Sequence, residues 1–462
     1  MKLVVLGAAE SGVGAAILAQ QKGYDVFVSD RGSIREHYKS LLDAHALPWE
    51  EGQHTAEQIL DADEVVKSPG IPDDAPMVKA LREKGVPILS ELEFAARYTQ
   101  AQLLCITGSN GKTTTTSLIY HILREAGYNV ELAGNIGRSM ALRVAENEEK
   151  GDPDWFVLEI SSFQLDNMYD FHAHIAVLLN ITPDHLDRYG YVMQRYVDSK
   201  MRIIRNQTHE DYFIYWADDE HVPNELARRE HPARQLPFAD RPRAGLAAYG
   251  RGEVGDDSYG FAKGSSLVVE QPRPFSIPLA KLSLPGKHNL RNCQAAALAT
   301  LAAGVDQETL ARCLADFPGV EHRLERVGNF DGVQYINDSK ATNVDACFVA
   351  LDAQTQPTVL IVGGLDKGND YSTLYDLVSR KCRALVYLGA DNTKLHEAFD
   401  ALAEAKGIAV ADTHSMADCV KACRKLAQTG DTVLLSPCCA SFDLFKNMED
   451  RGEQFKELVR QA

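Results

Sequence analysis

A chain of 462 residues, 45% hydrophobic and 24% charged, has the composition of an ordinary globular protein with room for about three domains. A net charge of −17 without a compensating basic run excludes nucleic acid as the main partner, and no apolar run approaches the roughly 20 residues of a membrane span. Nine cysteines, an odd number with no C-x-x-C pair, point to a reducing cytoplasm rather than to disulfides or structural zinc.

Residues 1–97 read as a small doubly wound unit. Residues 2–6 are a strand rather than a leader, because the apolar run breaks at once into the turn Gly7-Ala8-Ala9-Glu10-Ser11-Gly12. A helix is expected over 13–22, closed by Gly23, and a second strand over 24–29, ending at Asp30. This βαβ start is similar to the dinucleotide fingerprint. Ala9, however, stands where that fingerprint has its second glycine, which lets the backbone meet a pyrophosphate. The site expected here takes a nucleotide diphosphate, not specifically NAD, with Asp30 at the distance to bond a ribose hydroxyl; a plain βαβ turn is the competing reading. A strand over 64–67 then runs into Ser68-Pro69-Gly70-Ile71-Pro72, a turn at a strand's carboxyl end, where α/β sheets bind ligands. A helix over 91–98 leads out of this domain.

Residues 98–303 form a central domain. The apolar run 103–106 is a buried parallel strand, followed by Thr107-Gly108-Ser109-Asn110-Gly111-Lys112-Thr113 and by helical spacing over 117–123. Strand, glycine loop and helix together bind phosphate: loop amides turn inward and the helix terminus adds positive charge. Lys112 is placed to reach the β/γ-phosphates and Thr113 to ligate Mg²⁺. Ile106 occupies the place of the usual first glycine, so the loop is a variant; a tight turn that happens to contain Gly-Lys-Thr is the rival. Gly134-Asn135-Ile136-Gly137 suits a loop that approaches a ligand closely. Residues 155–160 are an apolar strand with one acid, Glu159, in the position of a Mg²⁺ ligand beside a P-loop. A further buried strand over 175–181 opens into Thr182-Pro183-Asp184-His185, and His185 at that sheet edge suits a metal or a substrate carboxylate. Tyr196 and Lys200 share a helix face, for which a solvated surface is the bland alternative. Residues 217–280, rich in Pro, Gly and charge, are expected to be loops and short hairpins. An alanine-rich helix over 292–303 is capped by Gly304. Asn289 and Asn292 at its start suit a purine, its phosphates, or capping of the helix.

Residues 304–462 form a third α/β domain. Strands are expected to end at Asn337-Asp338-Ser339-Lys340-Ala341-Thr342-Asn343, at Gly363-Gly364-Leu365-Asp366-Lys367, at Gly389, and, after residues 432–435, at Ser436-Pro437-Cys438-Cys439-Ala440-Ser441-Phe442-Asp443. Alternation with helices implies a Rossmann-like parallel sheet with these loops on one edge.

Taken together, the blocks resemble the Mur ligase family of peptidoglycan synthesis, across the whole chain. Thr107–Thr113 looks like its ATP loop. Leu158-Glu159-Ile160-Ser161-Ser162-Phe163-Gln164-Leu165 and Asn180-Ile181-Thr182-Pro183-Asp184-His185 look like its metal and substrate loops, and His288-Asn289, Asn292 and His322-Arg323 like its nucleotide contacts. The block at 337–343 and the stretch from Ser436 to Arg451 resemble the D-glutamate-adding branch. The resemblance implies an α/β fold of three domains. These are an N-terminal Rossmann-like domain for the UDP-substrate (1–97), a central P-loop ATPase-like parallel or mixed sheet (98–303), and a C-terminal Rossmann-like domain for amino acid and nucleotide (304–462). It implies an ADP-forming ligase that joins D-glutamate to UDP-N-acetylmuramoyl-L-alanine through an acyl phosphate, acting as a cytoplasmic monomer whose third domain swings closed on binding.

Residue by residue, the resemblance implies ATP contacts at Gly108, Ser109, Asn110, Gly111, Lys112, Thr113, Thr114, Asn289, Asn292, Arg323 and Asp338. It puts the UDP-substrate at Ser11, Asp30, Arg31, Ser68, Asn135, Ser161 and His185, and D-glutamate at Lys340, Thr342, Lys367, Ser441 and Phe442. Two Mg²⁺ sites are implied, one at Thr113 and Glu159, one at His185 and a carbamylated Lys200, with Lys112, His185 and Lys200 as the catalytic set. Three departures stand out: Ala9 and the acidic Glu10 in the first loop, Gly32 after Arg31, and Met448 where an aromatic is often found. The alternatives are another Mur-type ligase or a folylpolyglutamate synthase, a nucleotide-binding regulatory protein without ligase activity, and a dehydrogenase built on the first loop. The 337–343 block, the intact set Lys112, Glu159, His185 and Lys200, and Ala9 argue against them in turn.

Overall fold

The computed structural model describes residues 1–147, 150–228, 231–251, 265–284, 286–366 and 368–461. They form two compact units, one holding the described residues through Phe317 and the other those from Pro318 onward.

The first unit contains two sheets. In the first sheet, β1 (Lys2–Leu6), β2 (Asp25–Asp30), β3 (Trp49–Glu51), β4 (Glu64–Lys67) and β5 (Ile88–Leu89) are parallel, in the order β3-β2-β1-β4-β5. The order reverses between β1 and β4, which opens a crevice at their carboxyl ends. The helix after β1 spans Glu10–Gln21, starting three residues earlier than expected, because Ala9 takes the extended backbone of an N-cap. Gly12 lets this helix close on β1: a Cβ there would sit 1.9 Å from the Gly7 carbonyl oxygen.

The second sheet has nine strands: β6 (Gln102–Thr107), β7 (Val130–Gly134), β8 (Trp155–Glu159), β9 (Ile175–Leu178), β10 (Tyr212–Trp216), β11 (Arg234–Ala239), β12 (Ala248–Arg251), β13 (Ser266–Val269) and β14 (Phe275–Pro278). Their order is β14-β13-β12-β11-β10-β9-β6-β8-β7. All pairs are parallel except β12–β13 and β13–β14. Among the described residues of 217–280, β11 and β12 extend the central sheet in parallel and β13 and β14 pair antiparallel, so the segment holds sheet strands as well as the loops and short hairpins expected. These strands are four to six residues long, and turn-rich connections between them masked the pattern. The alanine-rich helix begins earlier than expected, at Lys287, and runs to Ala302. Its small side chains let it lie close against the helix Lys112–Glu125. The helix Gln307–Asp316 also belongs to this unit, so the compact unit ends beyond residue 303. One hydrophobic cluster, from Leu3 to Ala233, draws on both sheets, which is why they form a single unit.

The second unit is built on β15 (Glu325–Phe330), β16 (Val333–Asn337), β17 (Thr358–Gly363), β18 (Cys382–Leu388), β19 (Ala409–Thr413) and β20 (Thr432–Cys438), in the order β15-β16-β20-β17-β18-β19. β15 is antiparallel to β16, and the remaining pairs are parallel. The sheet is thus mixed, where the sequence pattern suggested a wholly parallel one. Two hydrophobic clusters cover its two faces. The nine cysteines are buried free thiols. No helix among the described residues is long and apolar enough to cross a membrane.

Candidate active site

In the first unit the glycine loop follows β6, and Gly111 sets the start of the helix Lys112–Glu125 with φ of +86°. A Cβ at Gly111 would lie 2.5 Å from Asn292 Oδ1, so only glycine fits this close approach. The N–H groups of the helix's first turn have no i−4 carbonyl, which makes the loop an anion cradle. Asn180, at the end of β9, holds the loop open: its carbonyl accepts from Ser109 N at 2.9 Å and its Oδ1 from Asn110 N at 2.8 Å. Ser109 Oγ donates to the Thr182 carbonyl and shares a hydrogen bond with the Tyr196 hydroxyl. Thr113 and Thr114 are buried beneath the loop. Asn292 accepts from Thr115 Oγ1 and donates to Asn289 Oδ1. Both asparagines lie inside the helix Lys287–Ala302 rather than capping it, and Gly286 is the N-cap.

Two lysines converge on one oxygen. The Gly108 carbonyl accepts from Lys112 Nζ at 2.8 Å and from Lys200 Nζ at 2.9 Å. Lys200 is 1% exposed and lies over the Tyr196 ring, itself buried, so a solvated helix face is ruled out for this pair. Burial, then the nearby Lys112 charge, hold the Lys200 amine well below the usual lysine range. Glu159, at the end of β8 beside β6, is also buried: its Oε1 accepts from Asn135 Nδ2 at 2.8 Å, while its Oε2 has no hydrogen-bond partner. A buried carboxylate oxygen without a donor, beside a phosphate loop, fits a hard divalent cation. His185 sits at φ +51°, largely exposed, 3.6 Å from Asp184 and edge-on to Phe163. Asn135 thus serves Glu159 directly, and Ser161 closes a capping box with Gln164.

In the first sheet, a cavity of about 540 Å³ opens at the carboxyl ends of β1, β2 and β4, lined by Gly7, Asp30, Arg31, His54, Ser68 and Ile71 among others. Ser11, in the first turn of its helix, does not line it. Asp30 is turned toward the backbone, accepting from Ala8 N and Gly32 N at 2.8 Å each. Glu10 faces away from the cavity, toward Ser139 N and the Tyr38 hydroxyl, so its charge is not aimed at a diphosphate. Sequence reading passed over Arg188. Its guanidinium lies 4.4 Å from the centre of the Phe163 ring and donates to the carbonyls of Pro69 and Ile71 at 3.4 and 3.3 Å. Lys67 Nζ donates to the same Ile71 carbonyl, so two cations fix the Ser68–Ile71 turn. Only the run His185-Leu186-Asp187-Arg188 hinted at Arg188; His54 stood outside every motif.

In the second unit, the loops after β16, β20 and β17 leave neighbouring strands on one edge. Asp338 is buried, accepts from Leu324 N and Ser436 Oγ, and is pushed up to about 7 by burial. Arg323 is held between two residues of positive φ, His322 and Leu324. Lys340 N donates to the His322 carbonyl; Thr342 and Phe442 are exposed, and Ser441 is buried. Lys367 lies outside the described residues. Arg451, 1% exposed, ties the loops together through Ser339 Oγ, the Ser339 carbonyl and the Cys439 carbonyl. β20 runs on to Cys438, three residues beyond the expected end, and turns there at φ +63°.

Known proteins resemble the chain over its whole length. Residues 2–77 match the MurD N-terminal domain, residues 106–300 the Mur ligase middle domain, and residues 322–439 the glutamate ligase domain of Mur ligases. The chain is 56% identical over 461 residues to the UDP-N-acetylmuramoylalanine–D-glutamate ligase of Bacteroides fragilis, covering 100% of this chain and 99% of that one. It is 50% identical over 457 residues to the enzyme of the same name from Porphyromonas gingivalis, covering 99% and 98%. Among solved structures, the fold matches the UDP-N-acetylmuramate-alanine ligase MurC of Thermotoga maritima (TM-score 0.61, 19% identity, 100% and 99% coverage). It also matches the MurF ligase of Thermotoga maritima in complex with ADP (TM-score 0.59, 18% identity, 94% and 95% coverage).

Proposed function

Since the chain belongs to the Mur ligase family, we infer that it is an ATP-dependent ligase that adds D-glutamate to UDP-N-acetylmuramoyl-L-alanine in peptidoglycan synthesis. The observation that carries this is full-length identity of 56% to a relative of that activity. The acceptor's carboxylate attacks the γ-phosphorus of ATP, the bond to the β–γ bridging oxygen breaks, and ADP leaves. The amine of D-glutamate then attacks the acyl phosphate, loses its proton, and inorganic phosphate departs with the C–O bond's electron pair.

Such a reaction needs positioning and charge neutralisation more than covalent catalysis. Lys112 and the first-turn amides would hold the β/γ-phosphates, with Gly108, Ser109, Asn110 and Thr114 shaping the loop. Asn289 and Asn292, and separately Arg323 and Asp338, are assigned to the nucleotide. Thr113 and Glu159 fit one Mg²⁺. His185 and a carbamylated Lys200 are assigned to a second, and what supports the modification is the burial that favours a neutral, nucleophilic amine at Lys200. Bound Mg²⁺ supplies charge neutralisation on the transferred phosphoryl group. Arg31 and Ser68 would contact the UDP-substrate in the first-sheet cavity. Asp30 and Arg188 would act as positioning residues there, one on the glycine turn and one on the Ser68–Ile71 turn; Ser11, outside the cavity lining, and Asn135 and Ser161, which bond Glu159 and Gln164, are assigned to the same substrate. Lys340, Thr342, Lys367, Ser441 and Phe442 are assigned to D-glutamate. The reading includes a monomer working in the cytoplasm.

The test is phosphate release from ATP with UDP-N-acetylmuramoyl-L-alanine and a panel of amino acids. Release that depends on D-glutamate is expected. Release driven instead by another amino acid, or by a folate acceptor with L-glutamate, would overturn the assignment.

A further inference from the structure

The far end of the ATP-loop helix carries a cluster that the ligase reaction does not use. His121 lies near the end of the helix Lys112–Glu125, and Cys313 and Asp316 lie three apart, on one face of the helix Gln307–Asp316. An imidazole nitrogen, the thiol sulfur and a carboxylate oxygen from these residues all fall within 4.8 Å of one another. His121 Nε2 is 3.4 Å from Asp316 Oδ1. Bonds of about 2.0–2.3 Å to a tetrahedral zinc ion put its ligand atoms about 3.3–3.7 Å apart, so this pair already has the required spacing. The Phe317 ring packs 5.5 Å from the imidazole and limits its rotation.

We propose that His121, Cys313 and Asp316 form a zinc-binding site that fastens the end of the ATP-loop helix to the helix Gln307–Asp316. The donor set selects the metal. A thiolate with an imidazole suits borderline-soft Zn²⁺ and disfavours Mg²⁺, which prefers oxygen. The charges nearby permit it. Arg312 is 2.8 Å from Glu125 and 3.9 Å from Asp316, so it keeps the short contact and gives up the long one when Asp316 turns to the metal. Arg124 is directed onto the Tyr120 ring. The fourth position is left to water. Binding forms a Zn–S bond, and the thiol proton passes to solvent. The ligands come from helices far apart in sequence, so no Cys spacing announces them.

The test uses the full chain, stripped with chelator and titrated with Co²⁺ as a spectroscopic substitute for Zn²⁺. The near-ultraviolet thiolate-to-cobalt charge-transfer band should appear in the wild type, persist in excess Mg²⁺ and disappear on adding Zn²⁺. Zn²⁺ alone should raise the melting temperature. Cys313→Ser should abolish the band, and His121→Ala should weaken Co²⁺ binding on the order of 100-fold or more. With Mg²⁺ restored and no Zn²⁺ added, phosphate release by the stripped Cys313→Ser chain should match that of the stripped wild type. A wild type without the band, or a band that survives in either variant at wild-type affinity, overturns the site. None of these optical readouts depends on the chain's being a ligase.

Discussion

The loops after β1 and β6 share a local plan, strand to glycine turn to helix, but their charges are opposite. After β1, the turn faces carboxylates: Asp30 accepts from Ala8 N, and Glu10 opens the helix. After β6, two lysines meet on the Gly108 carbonyl, leaving the helix's first N–H groups to an anion. One βαβ geometry therefore carries two opposite charge arrangements. On one side a protein carboxylate accepts the loop amides beside a cavity; on the other, two cations sit on one loop carbonyl and the first helical amides stay open to an anion. What differs is where the charged side chains arrive from, not the turn itself.

Removing either side's charge should break this contrast in measurable ways. Lys112→Ala is expected to lower ligation on the order of 1,000-fold while leaving UDP-substrate affinity nearly intact, because the cradle belongs to the second sheet and the cavity to the first. Isothermal titration with the UDP-substrate checks this; a large loss of affinity there would show that the two loops do not divide the work. Lys200→Ala should be nearly as inactive, and acetate should restore part of the rate by supplying the missing carboxylate. A full rate without acetate would remove the carbamate from the reading. Asp30→Ala should raise the KM for the UDP-substrate about 10- to 100-fold, the worth of charge-assisted hydrogen bonds, and leave the KM for ATP unchanged. Arg188→Ala should raise the same KM about 10-fold, since it frees the Ser68–Ile71 turn but keeps Lys67 on Ile71. Steady-state kinetics with each substrate varied separates these two effects from damage to the ATP loop.

The smallest effect sharpens the comparison without touching activity. Glu91 accepts from Ser139 Oγ and Ala141 N beside Glu10, and burial pushes it up to about 7 from its usual 4.5. Between those values the folded chain binds more protons than the unfolded one. Stability therefore falls as pH rises through that window, by about 3 kcal/mol in all. Glu91→Gln should flatten this slope in urea midpoints taken between about pH 5 and 8. An unchanged slope would place the titration elsewhere.

Much of this was legible in the residues themselves. Apolar runs flanked by glycine turns placed β1, β2, β6, β8 and β9, because a parallel strand buried on both faces must be apolar throughout. The Gly-Lys-Thr loop and Glu159 suggested phosphate and Mg²⁺ through residue type and position, whereas the 337–343 block took its proposed role only from the family resemblance. Short strands defeated that logic: β11 to β14 alternate weakly between Pro- and Gly-rich connections, and β15 is recognised only by its antiparallel partner β16.

What the tertiary structure alone decided is which side chains answer to one another across the chain. Lys200 became a partner of Gly108 only when helix and loop were packed together, with burial then setting its protonation. Arg188 reached the Ser68–Ile71 turn, Asp30 turned to the glycine loop, and His121 met Cys313 in the same way. Local propensity acts over a few residues and leaves its mark in the sequence. The electrostatics of a site depend on contacts between segments far apart in the chain, and on how much water those contacts exclude.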